Sequence, residues 1–128
     1  MEVCCVSAYI LLVDDDDDTA DILRFFLERE GYEVVTAREG GEALRVMSER
    51  GEPDLMLLDL AMPGMDGWGV MDALARHPRW VGTPVVVLTA SWQVSPEDVL
   101  ALGADAMLRK PVMPDALLAT VERYSSGG

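Results

Sequence analysis

Apolar runs of four to six residues alternate with amphipathic stretches of ten to thirteen along this chain, and the alternation occurs five times. That is the pattern of repeated strand-helix units. The first strand is expected at about Tyr9 to Val13. Its helix, over roughly Thr19 to Arg29, puts Ile22, Leu23, Phe26 and Leu27 on one face and stops at Gly31. Tyr32 to Ala37 is the second strand, and Gly41 to Arg50 the second helix, with Ala43, Leu44 and Met47 at helical spacing before Gly51. Leu55 to Leu58 and a helix from about Trp68 to Arg76 form the third unit. The fourth has a strand over Pro84 to Leu88 and a short helix beginning near Pro96, a residue that suits a first helical turn. Ala106 to Leu108 and then Pro114 to Tyr124 complete the series.

Continuous apolar strands joined by helices imply a parallel sheet covered on both faces, with right-handed crossovers. In such α/β sheets ligands bind beyond the carboxyl ends of the strands, where the strand order reverses. Asp14, Asp15, Asp59, Thr89 and Lys110 all sit at or just past the expected strand ends, so one crevice could collect them. Three clustered carboxylates raise one another's pKa unless a cation neutralises them. A divalent metal is therefore implied, and an all-oxygen ligand set completed by phosphate favours magnesium.

Composition narrows the classes. With 128 residues, half of them apolar, the chain suits one domain over 1–128, with a core at about 9–124, an N-terminal extension over 1–8 and a frayed end over 125–128. The net charge of -13 opposes direct binding to nucleic acid, where Lys and Arg must neutralise phosphates. Cys4 and Cys5 are adjacent, a spacing that rarely forms an unstrained bridge, so reduced thiols are expected. No apolar stretch approaches the roughly 20 residues of a membrane span, and Met1 to Leu12 lacks the basic start of a secretory signal. A cytoplasmic location is expected.

The motifs carry a family resemblance over roughly Ile10 to Tyr124. They are Leu-Val-Asp-Asp at 12–15, Leu-Leu-Asp-Leu-Ala-Met-Pro-Gly-Met-Asp-Gly at 57–67, Leu-Thr-Ala at 88–90, Gly-Ala-Asp-Ala at 103–106 and Lys-Pro at 110–111. Five in this order resemble a response-regulator receiver domain, the phosphoacceptor of two-component signalling. The resemblance implies a doubly wound, flavodoxin-like five-stranded sheet in the order 2-1-3-4-5. It also implies that Asp59 accepts a phosphoryl group from a sensor histidine kinase or a histidine phosphotransfer protein. Asp15, Asp59 and the Ala61 carbonyl would ligate magnesium, with manganese as a substitute, and Asp14 would act through water. Lys110 would offset phosphoryl charge, Thr89 would donate its hydroxyl, and the backbone N–H groups of Leu60, Ala61 and Ala90 would add donors. The domain would not be an enzyme in its own right. Output would pass through the fourth helix, fifth strand and fifth helix to a downstream protein or a second copy.

Some positions depart from that pattern or have plainer explanations. Where the family usually carries an aromatic switch residue, three positions before the lysine, this chain has Met107, and the segment from Thr89 to Lys110 is about one residue short. Trp92 in that loop is expected to be a surface or packing residue, with reporting or capping the switch as the alternative. Ala61 and Ser91 are small and leave the path of an attacking water open. Asp18 is expected to cap the first helix, with Asp16 and Asp17 solvated. Asp66 and Gly67 are expected to form the turn and cap of the third helix. His77 is expected at the surface, and Met47, Met71 and Met113 in the core. Two rival functions stay open: a pseudo-receiver that never takes phosphate, and a magnesium-dependent phosphatase. The second arises because Asp15 to Thr19 also matches the Asp-x-Asp-x-Thr motif of haloacid-dehalogenase-like enzymes.

Overall fold

The computed structural model describes residues 9–61 and 66–125. Cys4 and Cys5, the expected extension over 1–8, the middle of the third-strand motif at 62–65 and the last residues at 126–128 lie outside them. Strands and helices alternate as β1 (Ile10–Val13), α1 (Asp17–Arg29), β2 (Val34–Ala37), α2 (Gly40–Arg50), β3 (Leu55–Asp59), α3 (Gly67–Arg76), β4 (Val85–Thr89), α4 (Pro96–Ala101), β5 (Ala106–Arg109) and α5 (Pro114–Ser125). Every strand pairing is parallel, and the order is β2-β1-β3-β4-β5, as expected.

The period of two in each strand divides one apolar run between two cores. Leu11, Val13, Met56, Leu58, Val85 and Val87 meet α2, α3 and α4 through residues such as Met47, Val70, Leu74 and Val99. Ile10, Leu12, Leu55, Leu57, Val86 and Leu88 meet α1 and α5 through Leu23, Leu27, Leu117 and Val121. Burying each such side chain contributes about 1.5–3 kcal/mol, and this is why the central strands tolerate no polar residue before their last position.

Several local expectations need correction. The first helix starts at Asp17, two residues early, and its N-cap is Asp16, not Asp18. The Asp14 Oδ1 accepts the Asp16 N–H at 2.9 Å, which tightens the turn after β1, while Thr19 donates its hydroxyl to Asp16 at 2.6 Å. Ile22 is 56% exposed, because Ala20, Leu23 and Leu27 already make the inward stripe and Ile22 falls beyond its edge. The second strand begins at Val34 instead of Tyr32, since the Tyr32 N–H still closes the end of α1 on the Leu27 carbonyl at 3.2 Å. Gly31 makes this reversal at φ +94°, a region that side chains disfavour. Met113 is 63% exposed: it precedes α5, whose inward stripe is Leu117 and Val121. Met47 and Met71 are buried as expected.

Other expectations hold. Asp66 caps α3 by accepting the Gly69 N–H at 3.0 Å, and the helix can start there only because Gly67 lacks a side chain. A Cβ on Gly67 would stand 2.7 Å from the Asp59 carbonyl oxygen. The fourth helix is short, six residues, and opens with a reciprocal capping box between Ser95 and Asp98. His77 ends α3 at the half-exposed surface, stacked on Trp80 with ring centroids 3.9 Å apart.

Candidate functional site

Strand order places the carboxyl ends of β1 and β3 side by side, with Val13 opposite Leu58. The next residues, Asp14 just past β1 and Asp59 at the last position of β3, therefore lie side by side. The side chain of Asp14 is fully buried and that of Asp59 nearly so. Asp15 is half-buried beside them, and one carboxylate oxygen from each of the three lies within 4.8 Å of the others. Lys110, just after β5, reaches back across the sheet end. Its Nζ donates to Asp14 Oδ2 at 2.9 Å and to Asp59 Oδ2 at 3.3 Å. The peptide between Lys110 and Pro111 is cis.

Electrostatics follow from that packing. Burial raises the Asp59 carboxyl above the usual carboxylate range, and the Asp14 charge adds to this, while Lys110 and the Ala61 N–H oppose it. Burial alone would lower the Lys110 ammonium. The hydrogen bonds and charges of Asp14 and Asp59 together outweigh it and hold the pKa above its ordinary value. The ammonium is thus a fixed positive charge at neutral pH.

The donor set fits a hard divalent cation. Three carboxylates facing one ammonium leave an excess of two negative charges, and oxygen is the only ligand type they present. Asp17 does not join them: its carboxylate is exposed and pairs with Arg38 at 3.4 Å. The Asp15 and Asp17 pair that a haloacid-dehalogenase-like phosphatase would need does not converge, which counts against that rival.

Thr89 ends β4 one position beyond Leu88, the register partner of Asp59, and is buried. Its hydroxyl oxygen accepts the Ser91 N–H at 3.0 Å. On the β3 side, the Ala61 N–H donates to Asp59 Oδ1 at 3.2 Å and the Leu60 N–H to the Leu88 carbonyl at 3.3 Å. Met107 is half-buried against the core on the α4 side, in the cluster that Val94 also packs against. The Gly-Ala-Asp-Ala motif serves the framework, because Asp105 accepts the Val85 N–H at 2.9 Å and returns its own N–H to the Val85 carbonyl at 2.8 Å.

Sequence patterning gave no warning of Arg109. It donates to the carbonyls of Ser91 and Val94 and sits 4.4 Å over the ring of Trp92. These partners lie 15 to 18 positions away, so no local spacing pairs them. A shallow groove lined by Thr19, Ile22, Leu23, Pro111 and Val112 opens beside Lys110. No helix among the described residues is long and apolar enough to cross a membrane.

Comparison with known proteins agrees with this fold. The family model for the response regulator receiver domain matches residues 10–122. A Leptolyngbya boryana protein described as an uncharacterized 14.6 kDa protein in the sodA1 3' region is 40% identical over 116 residues, spanning 90% of this chain and 88% of its own length. Among solved structures, a putative response regulator from Chloroflexus aurantiacus is 33% identical with a TM-score of 0.85, covering 93% of this chain and 98% of that one. The chemotaxis protein CheY4 of Vibrio cholerae is 34% identical with a TM-score of 0.83, covering 93% of this chain and 99% of its own.

Proposed function

The chain belongs to the response regulator receiver domain family, a family of signalling modules, and we propose that within it this domain takes a phosphoryl group on Asp59. The observation that carries this reading is the joint approach of Lys110 to Asp14 and Asp59, with Thr89 one register position from the acceptor. The donor is a phosphohistidine on a kinase or phosphotransfer protein in the cytoplasm. An oxygen of Asp59 attacks phosphorus as the P–N bond breaks, and the imidazole leaves with the electron pair. An acyl phosphate on Asp59 results.

Magnesium, held by Asp15, Asp59 and the Ala61 carbonyl with Asp14 acting through water, would supply positive charge to the phosphoryl oxygens. Manganese would substitute. Lys110 holds a second positive charge on the other side, and it does so already protonated. The Thr89 hydroxyl turns from its present role toward the new phosphoryl oxygens and donates to them, with the N–H groups of Ala61, Ala90 and Leu60 as further donors. The Leu60 donor must first leave the Leu88 carbonyl. The change at Thr89 then alters the face formed by α4, β5 and α5, which contacts a downstream protein or a second copy. The domain, spanning residues 1–128 with its core at about 9–124, acts as one unit.

Mass after incubation with magnesium and acetyl phosphate or phosphoramidate tests this. The wild type is expected to gain one phosphoryl group, and Asp59→Asn none. A wild type that stays unmodified would leave a pseudo-receiver as the better account.

A further inference from the structure

The loop from Ala90 to Ser95 is held from two opposite sides. Ser91 is gripped at both ends of its backbone: its N–H donates to the Thr89 hydroxyl at 3.0 Å, and its carbonyl accepts from Arg109 Nη1. Arg109 Nη2 also donates to the Val94 carbonyl at 2.9 Å, and the guanidinium lies 4.4 Å over the ring of Trp92. Two loop carbonyls and one ring thus share a single side chain. A guanidinium fork is suited to this, being planar, always charged and able to stack while it donates. The ring of Trp92 is otherwise in solvent, with the residue 83% exposed, so few other contacts fix it.

The sheet order gives this arrangement a direction. Asp59 ends β3, on one side of β4, and Arg109 ends β5, on the other side, directly opposite Thr89 in register. The Thr89 backbone itself is pinned, because its carbonyl accepts the Lys110 N–H at 2.8 Å. A turn of the Thr89 hydroxyl toward Asp59 gives up the Ser91 N–H, and on the phosphoacceptor reading the neighbouring Ala90 N–H, donating to the phosphoryl oxygens, would draw the start of the loop toward β3. That motion leads away from Arg109.

We propose that Arg109 and Trp92 form a clasp that opposes the pull of a phosphorylated Asp59 on the loop after β4, so that the clasp sets how readily the domain switches. The inference rests on the phosphoacceptor reading of Asp59. Arg109 is a positioning residue here, acting through Ser91 and Val94 without touching the acceptor. In the resting arrangement the clasp holds the loop against β5. When the acceptor carries a phosphoryl group, Thr89 turns, Ser91 loses one grip, and the guanidinium parts from the indole. Because the clasp favours one of two loop arrangements, removing it lowers the cost of reaching the other.

Beryllofluoride with magnesium, a mimic of the acyl phosphate, provides the test. Wild-type tryptophan emission is expected to change on its addition, and the change to vanish in Trp92→Phe, which assigns the signal to Trp92 against Trp68 and Trp80. In Arg109→Gln the emission change is expected to be lost, while calorimetric titration gives an affinity about fivefold tighter, the lower end of usual coupling between sites. Trp92→Ala removes only an exposed ring and so keeps the fold. It is expected to tighten binding in the same direction by a smaller factor. If beryllofluoride binds the wild type but Trp92 emission does not move, or if Arg109→Gln and Trp92→Ala both leave the affinity unchanged, the clasp is overturned while the phosphoacceptor reading stands. If the wild type neither binds beryllofluoride nor gains a phosphoryl group, that reading falls and the clasp falls with it.

Discussion

Gly67 shows how closely single residues constrain the site. Its Cα packs so near the end of β3 that a Cβ would stand 2.7 Å from both the Asp59 carbonyl oxygen and the Leu60 Cα, with backbone on both counts unable to yield cheaply. Gly67→Ala is expected to cost about 1–3 kcal/mol, the usual range for overpacking, and to slow phosphoryl uptake by shifting Asp59. Urea unfolding alongside the mass assay would check both. Tyr9 makes a separate contribution, donating its hydroxyl to the Gly51 carbonyl beneath the Arg50 guanidinium. Burial raises its phenol above the ordinary value, and the Arg50 charge only partly offsets this. The unfolded chain therefore gives up this proton at lower pH than the folded one. The stability it contributes is present in full below about pH 10 and falls as pH rises through the folded value. Tyr9→Phe is expected to lose about 1 kcal/mol at neutral pH, and the gap from wild type to close above pH 10 in denaturant titrations. Asp14, Asp15, Asp59 and Lys110 stood out in the sequence as candidates because each lies at or just past the end of an apolar run. Arg109 was not, since its partners come from another strand's loop.

At the scale of elements, the helices differ in what holds them. The first, second and third bury stripes of Leu, Ala, Val and Met against the sheet, and their periodicity made them readable. The fourth has six residues and one buried side chain, Val99, so its ends matter more than its packing. The Ser95 side chain accepts the Asp98 N–H at 3.2 Å and the Asp98 side chain accepts the Ser95 N–H at 3.0 Å. Ser95→Ala is expected to cost about 1 kcal/mol, and amide hydrogen exchange to speed up over 96–101 more than elsewhere. Sequence pointed to this short helix through Pro96. The start of the first helix was misjudged for a related reason: a run of five aspartates offers several caps of similar chemistry, and the choice of Asp16 came from the Asp14 carboxylate, already fixed by the sheet.

For the molecule as a whole, a net charge of -13 surrounds a crevice that is itself acidic. Self-repulsion on this scale weakens the compact state and is screened by salt. Thermal midpoints in sodium chloride are expected to rise as ionic strength goes from about 0.01 M to about 0.15 M, where the screening length falls from roughly 30 Å to 8 Å. A flat or falling midpoint would mean that local pairs such as Arg38 with Asp17 outweigh the overall repulsion. By itself the sequence determined the α/β class and the five units, and it marked five polar strand-end positions as candidates for the site. These depend on periodicity and on the abrupt change from apolar to polar at each strand end, both of which are local. The motifs, through family resemblance, supplied the strand order. Only the tertiary structure decided that Lys110 bridges Asp14 and Asp59, that Asp17 turns away to Arg38, that Met113 faces solvent, and that Arg109 holds the loop beyond Thr89. Each of these depends on distances between segments far apart in the chain, which follow from strand order and register and leave no trace in the spacing of neighbouring residues.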